Sequence, residues 1–176
     1  MMKKLVLIIA VLLSTYVSTA QNFDKYENMK DVKSMVVTSK MFKLLTKIDL
    51  DSNDPETQQY IDLIENLDNI KVFATESQSL RSQMKADVTS YLSSSSLDEL
   101  MRFNDDGKSV KLYSKPGKNS DYVKEVFMFI DGIEDGKPMS VVVQIKGDLS
   151  LKQIGRLAED LNITGADQLK KVSKSK

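Results

Sequence analysis

The 176-residue chain contains no cysteine, no histidine and no tryptophan. Each absence removes a class of chemistry. Without histidine there is no Ser-His-Asp or Cys-His nucleophile system, and without histidine or cysteine a zinc site of the usual imidazole or thiolate type is excluded. Any general base has to be Asp, Glu, Lys or Tyr with a displaced pKa. Without cysteine no disulfide staples the fold, so burial alone must hold it. The same gap excludes a bacterial lipid anchor, which is attached through the sulfur of a cysteine at the first mature position. An excess of one charge is lacking as well, with 25 basic against 25 acidic residues. A nucleic-acid-binding surface needs a strong basic excess on one face, and the composition supplies none.

Long apolar runs are also missing, with one short exception at the start. Lys3-Lys4 precede an unbroken apolar stretch from Leu5 to Leu13, and Ser18-Thr19-Ala20 follow shortly after. A positive end, a short apolar core and small residues at the cut make up a secretory signal peptide, with cleavage expected between Ala20 and Gln21. A membrane anchor would need roughly 20 apolar residues to cross the hydrocarbon layer, and this stretch is too short. The expected localisation is therefore exported, periplasmic or secreted, with no stable membrane anchor after cleavage. Loss of Lys3 and Lys4 tips the charge balance slightly to the acidic side. The remaining chain, 21–176, suits one domain, and a domain of that size buries about 68–70% of its unfolded surface.

Within that domain, 21–32 is polar with scattered apolar residues and reads as a loosely packed lead-in. Ser34–Thr38 is β-branched and predicts a strand. Met41, Leu44, Leu45 and Ile48 recur at helical spacing over about Lys40–Lys47. Asp54-Pro55-Glu56 is a helix start, with Asp54 as cap and Pro55 in the first helical position; Tyr60, Ile61, Ile64 and Leu67 form its expected buried stripe. Ile70–Ala74 predicts a second strand. Ser77 then caps a longer helix carrying Leu80, Met84, Val88, Tyr91 and Leu92 on one face, ended by Ser93–Ser96. Ser96-Leu97-Asp98-Glu99 fits a capping box and predicts one further helical turn.

Beyond it the pattern changes to strands. Met101–Phe103, Ser109–Tyr113, Tyr122–Ile130 and Met139–Ile145 are apolar or alternating runs, separated by turns. Two of the turns, Asp105-Asp106-Gly107-Lys108 and Glu134-Asp135-Gly136-Lys137, place glycine where a tight hairpin needs positive φ. Phe127 and Phe129 alternate with Val126, Met128 and Ile130, so this strand is apolar on both faces and expected to be central. Ser150 with Gln153 makes a second capping box, opening a closing helix with Leu151, Ile154, Leu157, Ala158 and Leu161 on its buried face. A lysine-rich tail, 165–176, ends the chain. The fold class is α+β: a single domain with a mainly antiparallel sheet, a four-strand meander and helices packed against one face.

Three stretches carry a family resemblance. Ser39-Lys40-Met41-Phe42-Lys43-Leu44-Leu45 after a short strand, the run from Leu97 through Asn104-Asp105-Asp106-Gly107-Lys108 to Tyr113, and Gly147-Asp148-Leu149-Ser150-Leu151 together resemble the exported bacterial family called domain of unknown function 4252. The resemblance implies a single domain with an export signal, in a family found mainly in Bacteroidota and without an established activity. It transfers no catalytic residues.

Four constellations invite a chemical reading. Asp49, Asp51 and Asn53 begin like a calcium loop, but Asp54 and Tyr60 stand where the EF-hand pattern needs Gly and Glu. An acidic linker capping the Pro55 helix is the better account. Ser82-Gln83-Met84-Lys85 matches a Ser-x-x-Lys pairing, without the partner motifs of penicillin-recognising enzymes; Ser82 and Lys85 are expected on the solvent side of their helix. Glu125 and Asp131 are a conceivable acid–base pair, read instead as a solvated sheet edge. Met29, Met35, Met41, Met84, Met101, Met128 and Met139 are expected as core filler rather than a copper site. No catalytic, cofactor or metal residue is assigned, and no cofactor is expected. The expectation is a non-catalytic exported domain binding a protein or small-molecule partner in the cell envelope, with envelope signalling as one setting. The rivals are a hydrolase using Asp, Glu or Ser/Lys, and a purely structural envelope protein.

Overall fold

The computed structural model describes residues 23–45, 54–105, 107–134, 136–150 and 154. A 3-10 turn over Phe23–Tyr26 leads into β1 (Lys33–Thr38) and α1 (Ser39–Leu45). Next come α2 (Pro55–Glu65), β2 (Leu67–Thr75) and α3 (Gln78–Ser94). Four strands follow: β3 (Asp98–Asp105), β4 (Lys108–Pro116), β5 (Tyr122–Glu134) and β6 (Lys137–Ser150). They form one six-stranded sheet in the order β1-β2-β6-β5-β4-β3, with every neighbouring pair antiparallel. The meander β3–β6 is as expected, and β5 lies inside the sheet beside β6. The hairpin glycines Gly107 and Gly136 take φ of 77° and 76°.

Local chemistry explains several boundaries. The Asp54 carboxylate accepts the Thr57 backbone N–H at 2.9 Å, and Pro55 opens α2, where its missing N–H costs nothing. Ser77 precedes α3 in an extended conformation, but its side chain makes no cap; the hydroxyl instead meets that of Ser79 at 3.1 Å. Ser96–Glu99 does not form a helical turn. Asp98 and Glu99 belong to β3 and pair with Ser114 and Tyr113, because a full strand ladder outweighs one capped turn. Leu67 likewise starts β2 rather than ending the α2 stripe, and among the described side chains of α2 Leu63 and Ile64 are buried.

Strand alternation divides the apolar residues between two faces. On the first face Ile70, Leu112, Val126, Met128, Val143 and Ile145 pack with Phe42 of α1 and with Leu63 and Ile64 of α2. On the second, Phe73, Tyr113, Phe127, Phe129 and Val142 pack with Met84 and Val88 of α3 and with Phe23 and Tyr26. The helices therefore divide between both faces instead of sharing one. The physical reason is that β2, β5 and β6 are apolar on both sides, and each side needs its own cover. The lead-in is not loosely packed either, since Phe23 and Tyr26 are fully buried. Ser150 is the last residue of β6, and most of the expected closing helix lies outside the described residues. Ile154, however, is helical and 2% exposed within the first-face core.

The methionines are only partly core filler. Met84 and Met128 are buried, whereas Met35 and Met41 are exposed. One glycine is required by both conformation and space: Gly147 has φ 154°, and a Cβ there would collide with the Asn66 carbonyl, which accepts the Asp148 N–H at 3.0 Å.

Candidate functional site

Helix α3 is held on the second face by three polar junctions spaced along its inner side. Near its start, Arg81 and Lys85 reach Asp131 on β5: Arg81 Nη2 lies 3.1 Å from Oδ1 and Lys85 Nζ 2.6 Å from Oδ2. Ser140, paired with Asp131 across β5 and β6, donates its hydroxyl to Oδ1 at 2.6 Å. In the middle, Asp87 accepts the Tyr26 hydroxyl at 2.5 Å and lies 2.5 Å from Lys25 Nζ. Near the end, the Tyr91 hydroxyl donates to Glu125 Oε1, and the Gln144 amide donates to the same oxygen at 2.8 Å. Between the junctions, Phe127 contacts Phe23 and Tyr91 with ring centroids 5.4 and 5.1 Å away. Beyond the helix, Lys71 on β2 holds Asp24 and Glu27 of the lead-in.

These contacts shift titrations in directions that follow from their partners. Burial raises the pKa of both Tyr26 and Tyr91, and the carboxylates of Asp87 and Glu125 raise them further. For Lys71 burial opposes the charge, but hydrogen bonds to Asp24 and Glu27 outweigh it, and the pKa rises. For Asp131 burial works upward, yet hydrogen bonds from Lys85, Ser140 and Arg81 hold the carboxyl below its ordinary value. A depressed carboxyl stabilises the fold above its unfolded pKa of about 3.9 and loses that contribution as pH falls through the folded value. Asp131→Asn is therefore expected to cost about 1.5–3 kcal/mol at neutral pH, the range for hydrogen bonds to a charged group. Urea melts at neutral and strongly acid pH check this: the gap from wild type should close in acid, and a pH-independent gap would contradict it.

A separate cleft of 390 Å³ opens where the segment entering β1 passes the end of β2 and the start of α3. Val32, Ala74 and Met139 supply its apolar lining, with Asp31, Lys33, Thr75, Glu76 and Ser77 as polar neighbours. Several of the polar groups are engaged. The Thr75 hydroxyl donates to the Asp31 carbonyl at 2.7 Å, and the Ser77 N–H donates to Thr75 Oγ1 at 3.2 Å. Glu76 lies 3.5 Å from Lys33 Nζ and 3.7 Å from Lys137 Nζ. Asp31 has φ 67°, unusual for a residue other than glycine, and turns the chain into β1.

Ser82 and Lys85 are exposed on α3, as expected, whereas the carboxylates singled out from sequence fall into place differently. Glu125 and Asp131 are not on a solvated edge; both sit on β5 inside the sheet, with Glu125 buried. Six residues apart on one strand, they are separated by about 20 Å at ~3.3 Å per residue. Paired glycosidase carboxylates stand roughly 5–9.5 Å apart, so these two cannot act together. The Ser82 hydroxyl donates to the Gln78 carbonyl at 3.1 Å, whereas Lys85 is spent on Asp131. Asp49, Asp51 and Asn53 lie outside the described residues, as do Ala20 and Gln21. Sequence reading missed the cleft and the roles of Arg81, Tyr91, Ser140 and Gln144. The polar residues at positions 140 and 144, within the Val-rich β6 run, were the available signal.

A family model described as "Domain of unknown function (DUF4252)" matches residues 26–157, well over half of the chain. No curated protein and no solved structure matches it. The matched segment runs from Tyr26 of the lead-in, through β1 to β6 and α1 to α3, to just past Ile154. The chain belongs to this domain family.

Proposed function

We propose that the chain is an exported, non-catalytic binding module of the cell envelope. The leader from Lys3 to Ala20 supports export. The observation that carries the binding reading is the cleft beside β1 and α3. An apolar lining ringed by charged and hydroxyl groups is the usual composition of a recognition site. Its 390 Å³ suits a small ligand or one inserted side chain of a partner. The hydrolase reading loses support from the same geometry, since Asp131, Glu125, Ser82 and Lys85 are all committed to holding α3 or its backbone.

The test is affinity capture from envelope extracts, comparing wild type with Glu76→Arg. Glu76 is a rim residue whose two ion pairs are exposed and worth little to stability, so the variant should fold normally while reversing charge at the cleft. A ligand or protein recovered with wild type and lost with the variant is the expected outcome. Capture unaffected by Glu76→Arg would remove the cleft from the account.

A further inference from the structure

The sheet ends in two edge strands, β1 and β3, and they are built differently. β3 carries Asp98, Glu99, Arg102 and Asp105 within eight residues, and its pairing with β4 is interrupted by a bulge between Glu99 and Met101. Charges and bulges are the usual devices that stop an edge from pairing with another chain. β1 has no bulge along its length and a single charge. Its register with β2 is unbroken from Lys33↔Ala74 to Thr38↔Asn69, and its charge is confined to Lys33. Met35 and Val36 point to opposite faces and are 41% and 38% exposed. Helix α1 starts at the next residue and adds exposed Met41 and Leu44. Among the described residues, no strand pairs with the outer side of β1.

We propose that β1 is the pairing edge of a two-fold symmetric dimer, in which a second copy of this chain adds its own β1 antiparallel to the first. The choice of a second copy rests on self-complementarity. A two-fold axis normal to the sheet requires one residue of the edge to face its own copy. With Val36 at the axis, Met35 faces Val37 of the partner subunit, Val36 faces Val36 of the partner subunit, and Ser34 faces Thr38 of the partner subunit. Apolar groups then meet apolar groups on both faces, and hydroxyls meet hydroxyls. Lys33 falls opposite Ser39 of the partner subunit, so the lysines are not set directly against each other. Centring on Met35 would place Lys33 against Val37 of the partner subunit, and centring on Val37 would place Met35 against Ser39 of the partner subunit. Side-chain pattern is what sets register in paired strands, and Val36 is the centre that sorts it.

The absence of native cysteine makes the register directly readable. Facing residues of antiparallel strands have Cα atoms about 4.5–5.5 Å apart, inside the range a disulfide bridges. In the full chain purified from the envelope, Val36→Cys should cross-link to itself almost completely under mild oxidation. Ser34→Cys should remain at background alone and cross-link when combined with Thr38→Cys. Sedimentation of wild type should give twice the mass of one chain, and Val36→Lys, which sets two ammonium groups face to face, should give monomer that keeps the wild-type far-UV circular dichroism and melts at a temperature that no longer depends on protein concentration. Wild type sedimenting as a monomer would overturn the proposal. So would equal cross-linking of Ser34→Cys and Val36→Cys, or cross-linking of Val36→Cys to a different protein. None of these outcomes bears on the cleft.

Discussion

Replacing Phe127 with alanine is expected to destabilise the protein by about 3–5 kcal/mol, the range for a buried aromatic deleted from a core. Phe127 is completely buried on β5, the strand paired with both β4 and β6. Its ring touches Phe23 of the 3-10 turn and Tyr91 of α3, so three separate elements lose contact with one deletion. The rigid sheet beneath cannot collapse into the gap, which places the cost toward the upper end. The loss would be a large share of the ~5–15 kcal/mol that typically separates folded from unfolded domains. Urea melts measure it, with exposed Ile133→Ala as the control; surface changes of that kind normally stay within about 0.5 kcal/mol. A Phe127→Ala melt matching wild type would mean that the second-face core is not continuous.

Ile154→Ala is expected to cost about 2–5 kcal/mol through lost burial and the cavity left behind. Ile154 is helical, lies beyond the end of β6 and joins the core that includes Val126, Met128 and Val143. The surrounding sequence places Leu151, Leu157 and Leu161 at the same helical spacing, and a helix of that length is marginal in water without docking. Ile154→Val, which removes one methyl group, should cost roughly 0.5–1.5 kcal/mol. A graded pair of denaturant midpoints would confirm docking of this segment on the first face. Unchanged midpoints in both variants would mean that the segment contributes nothing to stability.

Much of the fold was legible because its signals are local. The alternation of Val126 to Ile130 announced a strand apolar on both faces, and the two Asp-Gly-Lys turns announced the hairpins that join β3 to β4 and β5 to β6. Asp54-Pro55 announced the start of α2, and the Asp54 cap is present. Failures came where a distant partner decided the outcome. Ser96–Glu99 carries a sound capping pattern, yet β4 recruits Asp98 and Glu99 into a ladder. Phe23 and Tyr26 looked like stray apolar residues in a polar lead-in, because the Tyr26 partner, Asp87, is 61 residues away. Glu125 and Asp131 looked solvent-facing because carboxylates usually are; their neutral and cationic partners come from α3 and β6.

By itself the sequence determined the class of the protein: an α+β domain with a four-strand antiparallel meander, no cysteine or histidine chemistry, and an opening stretch with the pattern of an export leader. Periods of 2 and 3.6, glycine at positive φ and the absence of a residue type are properties of the chain alone. Only the tertiary structure decided that α3 lies on the face opposite α1 and α2, that the carboxylates clamp α3 to the sheet, and that β1 is an edge strand beside a cleft, with no strand on its outer side among the described residues. Those outcomes depend on pairings between residues far apart in sequence. A strand apolar on both faces gives no local preference for which side a given helix will cover, so packing among all the elements makes that choice.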